Sequence, residues 1–241
     1  VKKIIPYSRQ LIDKQDILSV NKVLKSNFLT KGKVTIQFEN EIKRFCGVKY
    51  VSACINASSG LILACKSINI KKNDIVWTTV NTYVATANCA IHCHAKVDFI
   101  DINLNDYNIS ISDLERKLKH AKKLKKLPKA LIVVHLAGNP VHMKKIKILS
   151  NKYKFFVIED ASHAFGAKYY QTKIGDCKYS DICVFSFHPV KNITTAEGGA
   201  ITTNNKTIHN KILSLRENGT ISKFSKKNPN FYDVVSLGYN F

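Results

Sequence analysis

Phe155-Phe156-Val157-Ile158-Glu159-Asp160-Ala161-Ser162-His163-Ala164-Phe165-Gly166 is an apolar run that stops on two carboxylates. Its apolar residues are consecutive and do not alternate with polar ones, as expected of a central strand covered on both faces. A carboxylate at the buried end of such a strand is costly unless something partners it. The run therefore predicts a buried strand, Phe155–Glu159, that delivers Asp160 to a functional edge. Read alone, Asp160 serves equally well as a helix N-cap.

Similar runs recur along the chain. Strands are expected at Tyr50–Ile55, Asp74–Thr78, Ala95–Asp101, Ala130–Leu136, Ile182–Phe187 and Gly199–Thr203. Helical periodicity fits Lys14–Lys25, Ile36–Phe45, Gly60–Ser67, Tyr83–Ile91, Ser112–Leu124, Met143–Tyr153 and Lys206–Arg216, with Ser112 and Glu115 spaced as a capping box. Alternation of this kind predicts an α/β fold, a mainly parallel sheet with helices on both sides. Ligands then gather beyond the carboxyl ends of the strands. Asn56 to Gly60, Glu159 to His163 and Ser186 to Lys191 fall at such places. Thr220 to Tyr239 reads as a loop.

Composition sets the frame. The 241 residues are 45% hydrophobic and 23% charged, enough for one sizeable core in a globular chain. Lys and Arg number 38 against 17 Asp and Glu, a net charge of +21. That balance favours anionic partners. The lysines are scattered, however, and the densest cluster, Lys117 to Lys129, reads as a solvated helix face and loop. No aromatic-interleaved basic motif of the nucleic-acid-binding kind is present, so no nucleic-acid partner is expected. No apolar run reaches membrane-spanning length, and none follows the basic start Val1-Lys2-Lys3 as a signal-peptide core would, so no membrane association is expected. The 7 cysteines form no CxxC pair, which points to reduced thiols in a cytoplasm. Cys89, His92, Cys93 and His94 are close in sequence but match no common zinc module, and no metal is expected.

Chemistry concentrates in Ser186-Phe187-His188-Pro189-Val190-Lys191-Asn192-Ile193-Thr194-Thr195-Ala196-Glu197-Gly198-Gly199. A lysine in a sheltered cleft can lose its proton and attack a carbonyl, the property that pyridoxal 5'-phosphate (PLP) requires of its Schiff-base lysine. Alone, a loop lysine such as Lys191 is ordinarily a surface residue. Ser186 is suited to a phosphate, and so is Asn56-Ala57-Ser58-Ser59-Gly60, which opens a helix with free backbone N–H groups. An acidic partner for a pyridinium nitrogen is an expected element of PLP sites, and Asp160 is suited to that role.

In combination, these segments resemble the DegT/DnrJ/StrS family of PLP-dependent sugar aminotransferases. The resemblance runs nearly end to end. It includes Pro6-Tyr7-Ser8-Arg9-Gln10, Phe28-Leu29-Thr30-Lys31-Gly32, Asn81 to Asn88, Glu159 to Ala164, Ser186 to Gly199, and Gly238-Tyr239-Asn240-Phe241. It is most similar to the branch that aminates UDP-linked 4-keto-6-deoxy-N-acetylhexosamines for surface-glycan or pseudaminic-type sugars.

The resemblance implies the large domain of a PLP-dependent transferase of the aspartate aminotransferase type (fold type I). It implies that residues 1–241 comprise an N-terminal segment and this domain, and stop before a smaller C-terminal domain. It implies Lys191 as the cofactor-holding lysine, Asp160 on the pyridine nitrogen, and His163 near the ring hydroxyl. Tyr83 is implied as the stacking residue, and Ser58, Ser59 and Ser186 as phosphate ligands. Tyr7, Asn27, Phe28, Leu29, Thr30, Ala57 and Ser186 would line the sugar-nucleotide pocket. Asn240 would reach the site of the partner in a homodimer. L-glutamate would be the amino donor. One departure is Arg216-Glu217-Asn218-Gly219, where the family usually carries Arg-x-His-Gly; Asn218 cannot titrate as His does.

Two rivals are set against this reading. A sugar dehydratase of the same fold carries His in place of the lysine, so Lys191 favours transamination. A non-catalytic or regulatory relative is opposed by Lys191, Asp160 and Ser186 all being present.

Overall fold

The computed structural model describes residues 4–222 and 231–241. The basic start at 1–3 and residues 223–230 of the segment read as a loop lie outside the described residues. All seven expected strands form, within two residues of the expected bounds: β1 Tyr50–Cys54, β2 Ile75–Thr79, β3 Lys96–Ile100, β4 Ala130–Val134, β5 Phe156–Asp160, β6 Ile182–Ser186 and β7 Gly199–Thr203. They make one sheet in the order β1-β7-β6-β5-β4-β2-β3. The pairs β2–β3, β2–β4, β4–β5 and β5–β6 are parallel. β7 runs antiparallel to both of its neighbours.

The helices are α1 Lys14–Leu24, α2 Lys33–Cys46, α3 Ala57–Ser67, α4 Ala85–Ile91, α5 Ile111–Lys123, α6 Met143–Tyr153 and α7 Lys206–Arg216. Alternate strand residues supply opposite faces. Ile132, Ile158, Val184 and Ile201 pack with α3, α4 and α7. Leu131, Val133 and Val157 pack with α5 and α6, and Cys183 and Phe185 with α2. No helix among the described residues is long and apolar enough to cross a membrane.

Two local expectations are corrected. Ser112 does not cap α5: Ser110 Oγ accepts from Asp113 N at 3.2 Å, and the helix starts at Ile111. The two serines compete for the same turn, and the earlier one takes the N-cap geometry. The segment from Thr220 is also not wholly a loop, because Thr220–Ser222 pairs antiparallel with Tyr232–Val234.

The cysteines are all unpaired and buried. Cys65, Cys89 and Cys93 lie in the core beneath α3 and α4, whereas His92 and His94 are exposed. Among the described residues no three metal-binding side chains gather.

Candidate active site

The carboxyl ends of β4, β5 and β6 open onto a cleft of about 590 Å³. Its wall includes Val134 and His135 after β4, Asp160, Ser162 and His163 after β5, and Ser186, His188 and Lys191 after β6. Ala57 and Ser58 of α3, together with Tyr7, Thr82, Tyr83 and Glu197, also line it. Lys191 and Asp160, 31 positions apart by number, thus face one cavity.

Asp160 is 5% exposed. Among the described residues its carboxylate accepts three hydrogen bonds: Oδ2 from Thr86 Oγ1 at 2.7 Å, and Oδ1 from Ser162 Oγ at 2.6 Å and Ser162 N at 3.1 Å. The bond to Ser162 N closes a tight turn two residues on, so the alternative role as an α-helix N-cap is not the one the fold uses. No cation lies within ion-pair distance of Asp160 among the described residues. A buried carboxylate without a counter-charge, opening on a cavity, suits a protonated ring nitrogen.

Lys191 is held in a loop pinned at both ends. Phe187 N donates to Gly198 O, Thr195 N donates to Phe187 O, and Lys191 N donates to His188 O at 2.9 Å. Asn192 Nδ2 donates to Phe165 O at 2.6 Å. Burial lowers the Lys191 pKa, and the Asp160 charge partly offsets the shift. His163 is likewise pushed below its ordinary value, first by burial and then by Lys191, with Asp160 opposing.

Asn56 caps α3, its side chain accepting from Ser59 N at 2.8 Å. Ala57 and Ser58, the first two residues of α3, line the cleft beside buried Ser186, the place where a helix start favours a phosphate. With Asp160, Lys191, His163 and this cradle in one cavity, the residues fit PLP.

Some expected residues lie elsewhere. Ser59 is buried and does not line the cleft, because helical rotation turns it from Ala57 and Ser58 toward the sheet. Asn27, Phe28, Leu29 and Thr30 are exposed in the turn after α1, outside the cleft lining. Asn240 is exposed and bridges antiparallel to Glu217. Asn218 adopts a left-handed φ of 59° and donates its N–H to Tyr239 O, while the preceding Arg216 binds Glu39 and Ala53 O. Thr82, Thr86, His135, His188 and Glu197 were not singled out from sequence. Thr86 lies within Asn81 to Asn88, and His135 follows the apolar run of β4; these are the available signals.

Comparison with known proteins identifies the family. The profile of the DegT/DnrJ/EryC1/StrS aminotransferase family matches residues 10–241. The UDP-4-amino-4,6-dideoxy-N-acetyl-beta-L-altrosamine transaminase of Campylobacter jejuni subsp. jejuni serotype O:2 is 43% identical over 238 residues, covering 98% of this chain and 60% of that protein. The GDP-perosamine synthase of Escherichia coli O157:H7 is 32% identical over 240 residues, covering 99% and 62%. The solved structure of Helicobacter pylori PseC, an aminotransferase involved in the biosynthesis of pseudoaminic acid, superposes with a TM-score of 0.88 at 34% identity, covering 99% and 62%. The chain thus spans about 60% of the length of the curated relatives it matches. Sequence profile, relatives and superposition agree on one assignment: the chain belongs to the DegT/DnrJ/EryC1/StrS aminotransferase family.

Proposed function

We propose that this chain carries the cofactor-binding domain of a PLP-dependent aminotransferase. Its substrate is a UDP-linked 4-keto-6-deoxy-N-acetylhexosamine, aminated at C4 with L-glutamate as donor, for surface-glycan or pseudaminic-type sugars. The observation that carries the reading is the convergence of Lys191, Asp160, His163 and Ser186 on one cleft. The name of the Campylobacter relative supports the choice of sugar.

When bound, PLP supplies a carbonyl that condenses with amines and a ring that accepts electrons from the adjoining carbon. The chain's residues do the rest. Lys191 presents an amine whose burial favours the unprotonated, nucleophilic form. Once free, the same amine takes the proton from the α-carbon of the amino donor and delivers it within the cleft as general base and acid. Asp160 supplies fixed negative charge, oriented by Thr86 and Ser162. Ser58, Ser186 and the start of α3 hold the phosphate, Tyr83 covers the ring, and Tyr7 and Ala57 face the sugar.

The reading includes a smaller domain that completes the pocket and a homodimer in a reducing cytoplasm, with Asn240 and residues 27–30 serving across or beyond the cleft. Exposed Ile17, Leu18, Val20 and Leu24 on α1, a helix without buried residues, support an assembly that covers them. The unpaired thiols support the compartment.

Absorbance spectroscopy tests the core of this proposal. Adding PLP to the chain should produce an imine band that Lys191→Ala abolishes. Retention of both the band and turnover in that variant sinks it. A panel of UDP- and dTDP-keto sugars with the full-length protein tests the substrate.

A further inference from the structure

His163 stands on the cleft wall against an unusual turn. After β4 the chain bends through Leu136–Gly138, where Ala137 takes the left-handed values φ 51° and ψ 22°. A side-chain-bearing residue rarely adopts that conformation, and it persists where its surroundings fix it. The next residue, Gly138, has φ +83°, and a Cβ there would lie 2.8 Å from the backbone O of His163. The turn is thus pressed onto His163. It is tied from outside by Asn108, whose Oδ1 accepts from Leu136 N at 3.3 Å and whose Nδ2 donates to Asn139 O at 3.1 Å.

The turn and the residues just after it address two imidazoles. Val141 N donates to His135 Nδ1 at 3.1 Å, so the His135 proton lies on Nε2, which donates to Glu159 Oε2 at 2.7 Å. Ala137 N donates to His163 Nδ1 at 3.3 Å. Nitrogen that accepts an N–H carries a lone pair and no proton. An imidazolium at His163 would set two donors against each other.

We propose that this turn is a positioning device: it fixes His163 as a neutral imidazole with its proton on Nε2, a hydrogen-bond donor to an oxygen acceptor of the bound ligand. His163 Nε2 has no partner among the described residues, so its N–H is available to the cavity. Burial and the neighbouring Lys191 also favour the neutral ring, against the pull of Asp160. A neutral imidazole N–H is far too weak an acid to supply the reaction's proton, which leaves proton movement to Lys191. That the acceptor is the ring hydroxyl oxygen of PLP rests on the function proposed above; the tautomer does not.

The test uses the chain without cofactor, labelled with 15N-histidine, in long-range proton–nitrogen correlation spectra. His163 is assigned by the signal lost in His163→Gln. The expected result is a lone-pair nitrogen at δ1 and a protonated nitrogen at ε2, with more than half of the ring neutral at pH 6.5, the ordinary histidine value. A proton on Nδ1, or on both nitrogens at pH 7, overturns the proposal. Gly138→Ala should mix the tautomers and raise the His163 midpoint; a folded variant with an unchanged His163 spectrum overturns the role of the turn. Should Gly138→Ala not fold, Asn108→Ala, which releases the turn from outside, carries the same expectation and the same contrary outcome. Failure of the chain to bind PLP would refute the proposed function and leave the tautomer result standing.

Discussion

Thr86 Oγ1 donates to Asp160 Oδ2 across 2.7 Å inside the protein, and Thr82 Oγ1 lies 2.7 Å from Thr86 Oγ1. Thr86 has a single hydroxyl proton and gives it to Asp160, so Thr82 must be the donor in the second pair. A chain of hydroxyls therefore orients the Asp160 carboxylate. Thr86→Val keeps the shape and removes the donor. Leaving a buried acceptor short of a partner costs about 1–3 kcal/mol. Urea denaturation should show that loss, and PLP affinity should fall roughly tenfold, about 1.4 kcal/mol. Unchanged affinity would separate Thr86 from cofactor binding.

Lys191 sets a pH dependence. Its pKa is lowered from 10.5 by burial, with the Asp160 charge acting the other way. Only the unprotonated amine attacks a carbonyl. A lowered pKa means the reactive form persists to lower pH than on a surface lysine. The rate of imine formation with PLP, followed by absorbance, should therefore rise through a midpoint below 10.5. Asp160→Asn removes the opposing charge and should move that midpoint further down. A midpoint at or above the ordinary value contradicts the half-buried placement.

Much of this was legible in the sequence, for identifiable reasons. The seven strands were readable because each is a short, bounded apolar run. The reversal of β7 was not. Gly199–Thr203 is buried on both faces, as β4 and β6 are, so its apolar pattern carries no sign of direction. Asp160 and Lys191 stand out only in combination with the other segments and the family they resemble, because alone the first reads equally well as a helix N-cap and the second as a surface lysine. Thr86 and His135 were harder, because a threonine in a helical pattern and one histidine after a strand are unremarkable until their partners are known. Ser59 shows the converse limit. Its neighbour Ser58 reaches the cleft and it does not, a difference set by about 100° of helical rotation per residue.

The buried thiols give a prediction independent of any cofactor. Burial pushes Cys46 and Cys54 up to about 12. At pH 8 only a fraction on the order of 10⁻⁴ of such a thiol is the reactive thiolate. Both should resist thiol-specific reagents in the folded chain, and all 7 cysteines should react once guanidinium unfolds it. Rapid labelling of Cys46 under native conditions, located by mass spectrometry, would mean that α2 does not pack on the sheet as described.

Two glycines separate space from conformation. Gly199 begins β7, paired with both Cys54 and Ser186, and a Cβ there would lie 2.7 Å from Asn56 C and 2.9 Å from Ala57 N. These are backbone atoms at the start of α3 and cannot turn aside. Gly47 has φ +72° but open space around the missing Cβ. Gly47→Ala should therefore cost only about 1 kcal/mol, the strain of a left-handed residue at a helix end, and leave PLP affinity alone. Gly199→Ala should cost more, about 1–3 kcal/mol from overpacking, and should also weaken PLP binding by displacing the phosphate cradle. Thermal denaturation and a cofactor titration on the two variants distinguish these effects. If Gly199→Ala lost stability but bound PLP normally, the start of α3 would not be holding the phosphate.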